Sequence, residues 1–124
     1  MPAAAHKKLL LIEDETDLCS VLSELLCEHQ WDVTIAHSIR SSKSLIESED
    51  WTCILLDLHL ADGSADELFQ SLQRCRQKTV GSPRILLMTG VPGTTEESRL
   101  LPLIDNSLAK PFSTSELLAI LQPA

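Results

Sequence analysis

Short, unbroken apolar runs alternate with segments of helical period along this chain, and that alternation restricts the fold more than any other feature. Leu9-Leu10-Leu11-Ile12, bounded by Lys8 and Glu13, has no polar alternate positions. It reads as a strand buried on both faces. Leu18, Val21, Leu22, Leu25 and Leu26 then recur at helical spacing through residues 16–29, the apolar stripe of an amphipathic helix. The pattern repeats, predicting strands over 33–36, 53–56, 84–88 and 107–109 and helices over 42–49, 64–77, 95–101 and 114–121. Ser64 with Glu67, Thr94 with Glu97 and Ser113 with Glu116 fit the S/T-x-x-E capping box, which satisfies two orphan backbone donors reciprocally. Five strands alternating with five helices predict an α/β protein. Parallel strands need right-handed crossover connections, so the helices cover both faces of a doubly wound, five-stranded parallel sheet.

At 124 residues the chain has the length of one domain, read here as 1–124. Its formal charge of -8 is uneven: residues 1–62 carry 4 basic and 12 acidic side chains, and residues 63–124 carry 6 of each. An acidic face opposes phosphate, so neither direct nucleic-acid binding nor binding to an anionic membrane is expected. No apolar run approaches the ~18 residues of a membrane span, and Met1 to Lys8 lacks a signal peptide's apolar region, which predicts a cytoplasmic protein. Cys19, Cys27, Cys53 and Cys75 form no C-x-x-C pair. Buried or half-buried free thiols are expected rather than zinc ligands or disulfides. The Met1 start leads us to expect a standalone protein or an N-terminal domain.

In open α/β sheets the site lies at the carboxyl ends of the strands, where the strand order reverses. Strand one ends in Glu13-Asp14, strand three in Asp57, strand four in Thr89-Gly90 and strand five in Lys110-Pro111. A strand order of 2-1-3-4-5 makes the two acidic ends neighbours, followed by the hydroxyl and the ammonium. Crowded carboxylates oppose each other's ionisation unless a cation holds them. Magnesium suits an all-oxygen set. Such a site points to phosphoryl transfer, with the central Asp57 as nucleophile.

Leu11-Ile12-Glu13-Asp14-Glu15, Leu55 to Gly63, Leu87-Met88-Thr89-Gly90 and Leu108-Ala109-Lys110-Pro111-Phe112 resemble, in order, the signatures of the response-regulator receiver domain of two-component signalling. Each alone is a common polar loop. Four in register, covering residues 8–121, are not. The resemblance implies the flavodoxin-like (βα)5 fold and a phosphoacceptor role for Asp57, charged by a sensor histidine kinase or a histidine phosphotransfer protein. It implies Mg2+ held by Asp14, Asp57 and the His59 carbonyl, with Glu13 acting largely through water. It further implies that Thr89 hydrogen-bonds the phosphoryl group, that Lys110 pairs with it, and that Lys110-Pro111 is cis. The only catalysis implied is the domain's own phosphorylation and dephosphorylation, and the output is a downstream protein target.

The sequence also departs from the family. Ala61 stands where proline is usual, which predicts a looser turn, and Ser107 stands where many receivers carry a switch aromatic. The interval from Thr89 to Lys110 is about one residue short of the chemotaxis-type pattern, shortening the fourth-helix region. These features keep open a pseudo-receiver that acts as a phosphorylation-independent interaction domain. A phosphohydrolase of the haloacid-dehalogenase type fits poorly, since there the nucleophile strand comes first and an acid stands where this chain has His59. The His59 ring is expected over the site mouth. Trp31 and Trp51, before strands two and three, are expected as packing residues at the opposite end.

Overall fold

A computed structural model describes residues 7–78 and 81–122. The reading of Met1 to His6 as lacking a signal peptide lies outside the described residues. The elements are β1 (Lys7–Ile12), α1 (Thr16–Glu28), β2 (Trp31–Ala36), α2 (Ile39–Ser48), β3 (Cys53–Asp57), α3 (Phe69–Arg76), β4 (Arg84–Thr89), α4 (Thr95–Leu100), β5 (Asn106–Ala109) and α5 (Thr114–Leu121). All five strands are parallel, in the order β2-β1-β3-β4-β5. This is the expected doubly wound sheet.

The unbroken apolar runs are explained by burial on two faces. Successive side chains of a strand point to opposite sides. Leu9 and Leu11, Cys53 and Leu55, and Leu86 and Met88 therefore pack with Leu22 and Leu26 of α1 and Leu117 and Leu121 of α5. Leu10 and Ile12, Ile54 and Leu56, and Ile85 and Leu87 pack on the other face with Ile46 of α2, Leu72 of α3 and Leu100 of α4. Two cores of this kind hold the central strands rigid, which fixes the positions of the residues just past their carboxyl ends.

Several elements differ from the sequence reading. α2 begins at Ile39, three residues early, because Ser38 caps it by accepting from Ser41 N at 3.0 Å and Asp62 of a distant loop accepts from Ile39 N (2.9 Å) and Arg40 N (3.1 Å). A single 3-10 turn, Ala65–Leu68, precedes α3, and a hairpin of His59–Leu60 with Gly63–Ser64 follows β3. Trp31 is the first residue of β2 rather than a neighbour of it. Val21 is exposed, since the α1 stripe is wider than the strip of sheet that covers it. Cys27 is exposed as well, one position round the helix from the buried Leu26, while Cys19, Cys53 and Cys75 are buried and all four thiols are free. The Ser113–Glu116 box forms in both directions, at 3.0 and 3.2 Å. At α4 only half forms: Thr94 accepts from Glu97 N, but the Glu97 carboxylate reaches Gly93 N instead. Among the described residues no helix is long and apolar enough to cross a membrane.

Candidate functional site

Each site residue is placed by the carboxyl end of a strand: Glu13-Asp14, Asp57 and Thr89 by the buried β1, β3 and β4, and Lys110 by the edge strand β5. Glu13 follows β1, and its own amide donates to Ala36 O at 3.0 Å, which extends the β1–β2 ladder by one bond. Asp57 closes β3 opposite Met88 of β4. Thr89 closes β4 opposite Ala109, and its carbonyl accepts from Lys110 N at 2.7 Å. The Lys110-Pro111 bond is cis. Because β3 lies between β1 and β4, Asp57 is flanked on one side by the acidic pair and on the other by Thr89 and Lys110.

The structure brings Glu13, Asp14 and Asp57 together, with one oxygen of each lying within 4.8 Å of the others. In an octahedron with magnesium–oxygen bonds of 2.0–2.1 Å, opposite ligands are about 4.2 Å apart. The donor set therefore fits a hard divalent ion after a small closure. Lys110 Nζ bridges two of the acids, 2.8 Å from Glu13 Oε1 and 3.2 Å from Asp57 Oδ2. Glu13 is 1% exposed and its other oxygen accepts from Glu15 N at 3.1 Å, so both oxygens are engaged. Asp14 is half-buried and accepts from Ala61 N at 2.8 Å. Thr89 is buried and its hydroxyl oxygen accepts from Val91 N at 3.1 Å.

Electrostatics follow from this crowding. Burial and then the Glu13 charge push the Asp57 carboxyl up to about 6, against the relief Lys110 provides. Burial works against the Lys110 charge, yet the Glu13 hydrogen bond and the Asp57 charge together raise its pKa above the usual lysine value. Cys19, whose thiol donates to Glu13 O, is pushed up to about 11, first by burial and then by the Glu13 and Asp14 charges. It stays protonated and inert. The His59 ring is exposed and turns toward α4, with Nε2 3.5 Å from Glu96 Oε1.

Two contributors escape a sequence reading: the Ala61 amide, which has no side-chain signature, and Asp62, which looks like an ordinary turn acid beside Gly63. Ser107 faces solvent on edge strand β5, as its small polar side chain permits. Lys7 to Ile12 runs in register with Trp31 to Ala36, so Trp31 lies at the end of the sheet away from the carboxylates. Trp51 is buried and donates to Leu45 O, as a packing residue should.

The chain is similar to the cell cycle response regulator CtrA of Brucella ovis, with 30% identity over 113 residues, covering 90% of this chain and 47% of that protein. It spans about half the length of the curated relatives it matches. Among solved structures it resembles a Burkholderia pseudomallei response regulator with a phosphorylated aspartic acid and a calcium ion, at 29% identity and TM-score 0.79, covering 94% of this chain and 66% of that one. It also resembles the receiver domain of a Pseudomonas aeruginosa sensor histidine kinase with a magnesium ion in the active site cleft. There the identity is 24% and the TM-score 0.77, covering 95% of this chain and 96% of that one. The response regulator receiver domain model matches residues 9–122, from the first buried strand to the end of the last helix, and the chain belongs to that family.

Proposed function

We propose that this receiver domain takes a phosphoryl group onto Asp57 from a phosphohistidine of a sensor histidine kinase or a histidine phosphotransfer protein in the cytoplasm, and signals through its protein surface. The observation that carries the reading is a buried Asp57 held between a carboxylate pair and the Lys110 ammonium at the carboxyl ends of three parallel strands. In the transfer an Asp57 oxygen attacks phosphorus, the phosphorus–nitrogen bond of the donor breaks, and the imidazole leaves as a neutral ring once protonated. Asp14, Asp57 and the His59 carbonyl would hold Mg2+, with Glu13 largely through water. When bound, the ion supplies charge screening for an anionic donor and orients the transferring oxygens.

The remaining work belongs to the chain. Lys110 is already 3.2 Å from the nucleophile and can pair with the incoming phosphoryl oxygens. The Thr89 hydroxyl, now accepting from Val91 N, keeps its own proton free to donate to the phosphoryl group. The completeness of this set counts against a phosphorylation-independent interaction domain. Treatment with acetyl phosphate and magnesium should add one phosphoryl mass to the parent and none to Asp57→Asn, and chelation should suppress the gain. Equal labelling of Asp57→Asn, or labelling indifferent to chelator, would overturn the assignment.

A further inference from the structure

The loop that carries Asp57 toward α3 has Ala61 where a proline would be rigid, and yet it is held from two sides by adjacent residues. The Ala61 N–H donates to Asp14 Oδ2 at 2.8 Å, joining this loop to the one after β1. The Asp62 carboxylate accepts from Ile39 N and Arg40 N at 2.9 and 3.1 Å, joining it to the start of α2 after β2. With Ser38 accepting from Ser41 N, the first three amides of α2 all have partners. A proline at 61 has no N–H and could not make the first of these contacts.

The distribution of partners around the three carboxylates gives the Ala61 contact its meaning. Lys110 neutralises Glu13 and Asp57 but makes no ion pair with Asp14 among the described residues. The Ala61 amide is the donor that Asp14 has instead. A carboxylate has about four acceptor positions, so one can stay bound to the amide while another faces a cation. The three acidic oxygens already converge within 4.8 Å with this bond in place, so ion entry does not require its loss.

We infer that Ala61 and Asp62 are positioning residues for divalent-cation binding: the Ala61 amide fixes the Asp14 carboxylate toward the ion, and Asp62 fixes Ala61 by anchoring the loop to α2. The inference rests on the proposed magnesium site. Hydrogen bonds of this kind to a ligating carboxylate typically change metal affinity by about 10- to 100-fold when lost. Asp62 acts one step further away, so its removal should weaken Mg2+ affinity by about 3- to 10-fold.

The test needs amide hydrogen exchange by NMR and a Mg2+ titration by calorimetry on the whole chain. In chelator, the Ala61 amide of the parent should exchange at least about tenfold slower than in Asp14→Ala, although Ala61 itself is exposed. That protection should persist or grow when Mg2+ saturates the parent. Asp62→Ala should lose both Ala61 protection and Mg2+ affinity, and Asp62→Asn, which keeps one acceptor oxygen, should recover part of each. If Mg2+ releases the Ala61 amide, or if Asp62→Ala binds Mg2+ like the parent, the positioning role is wrong while the metal site stands. If the parent binds no Mg2+, the metal site itself is wrong, a result separable from Ala61 protection measured in chelator.

Discussion

Burying Asp57 beside Glu13 costs the folded protein stability. Its pKa is usually 3.8 and is pushed to about 6 in the fold, first by burial and then by the neighbouring Glu13 charge. The folded protein therefore binds this proton more tightly than the unfolded chain does, and stability is lost as pH rises from about 4 through 6. Above that window the cost is complete. Asp57→Asn should accordingly stabilise the metal-free protein at pH 7.5 by on the order of 1 to 3 kcal/mol, and by little near pH 4. Urea melts in chelator at the two pH values measure this, and millimolar magnesium should narrow the gap at pH 7.5 by stabilising the ionised parent. An equal gap at both pH values would remove desolvation of Asp57 as its cause. Glu13-Asp14, Asp57 and Thr89 were legible in the sequence because they stand at the ends of buried apolar runs, and Lys110 because it precedes Pro111 at the end of the short edge strand β5. Ala61 was legible only as a missing proline, since a backbone donor leaves no trace in residue identity.

The elements differ in how locally their ends are encoded. α5 starts at a box made entirely of residues 113–116, so the S-x-x-E pattern sufficed to place it. Removing the hydroxyl in Ser113→Ala should cost about 1 kcal/mol, readable in chemical melts, with no effect on the phosphoryl labelling proposed for Asp57. The start of α2 has a local part, Ser38 accepting from Ser41 N, and a remote part, Asp62, 23 residues beyond Ile39, which no scan of neighbouring residues could find. α1 ends where Gln30 adopts a positive φ of 66°, a conformation that favours glycine. Gln30→Gly should thus raise stability by a few tenths to about 1 kcal/mol. A loss of stability would mean that the Gln30 side chain, whose amide donates to Glu28 O at 3.2 Å, contributes more than the strained backbone costs.

Across the whole molecule, the carboxyl ends of the strands carry the candidate site and the amino ends carry the tryptophans. Trp31 pairs with Lys7, five residues from the Ile12–Ala36 end of the same ladder, a separation of about 16 Å at the usual rise of a strand. Magnesium should leave intrinsic fluorescence nearly unchanged as it saturates the protein in a calorimetric titration. Strong saturable quenching would show that the ion acts beyond the site or binds elsewhere. Phosphorylation should alter the β5 and α5 face only modestly, because Ser107 is exposed and too small to fill space that a moving Thr89 leaves. Backbone NMR shifts with beryllofluoride and magnesium should change most around Val91 to Thr95. Equally large changes across β5 and α5 would contradict this. The sequence by itself determined the α/β class, the two-faced burial of β1, β3 and β4, and the residues at their ends, because apolar periodicity and strand-end chemistry are local properties. Only the tertiary structure decided what holds those residues in place. The Lys110 bridge, the Ala61 bond to Asp14 and the Asp62 cap span 97, 47 and 23 residues, and such partners become neighbours only when the sheet is assembled.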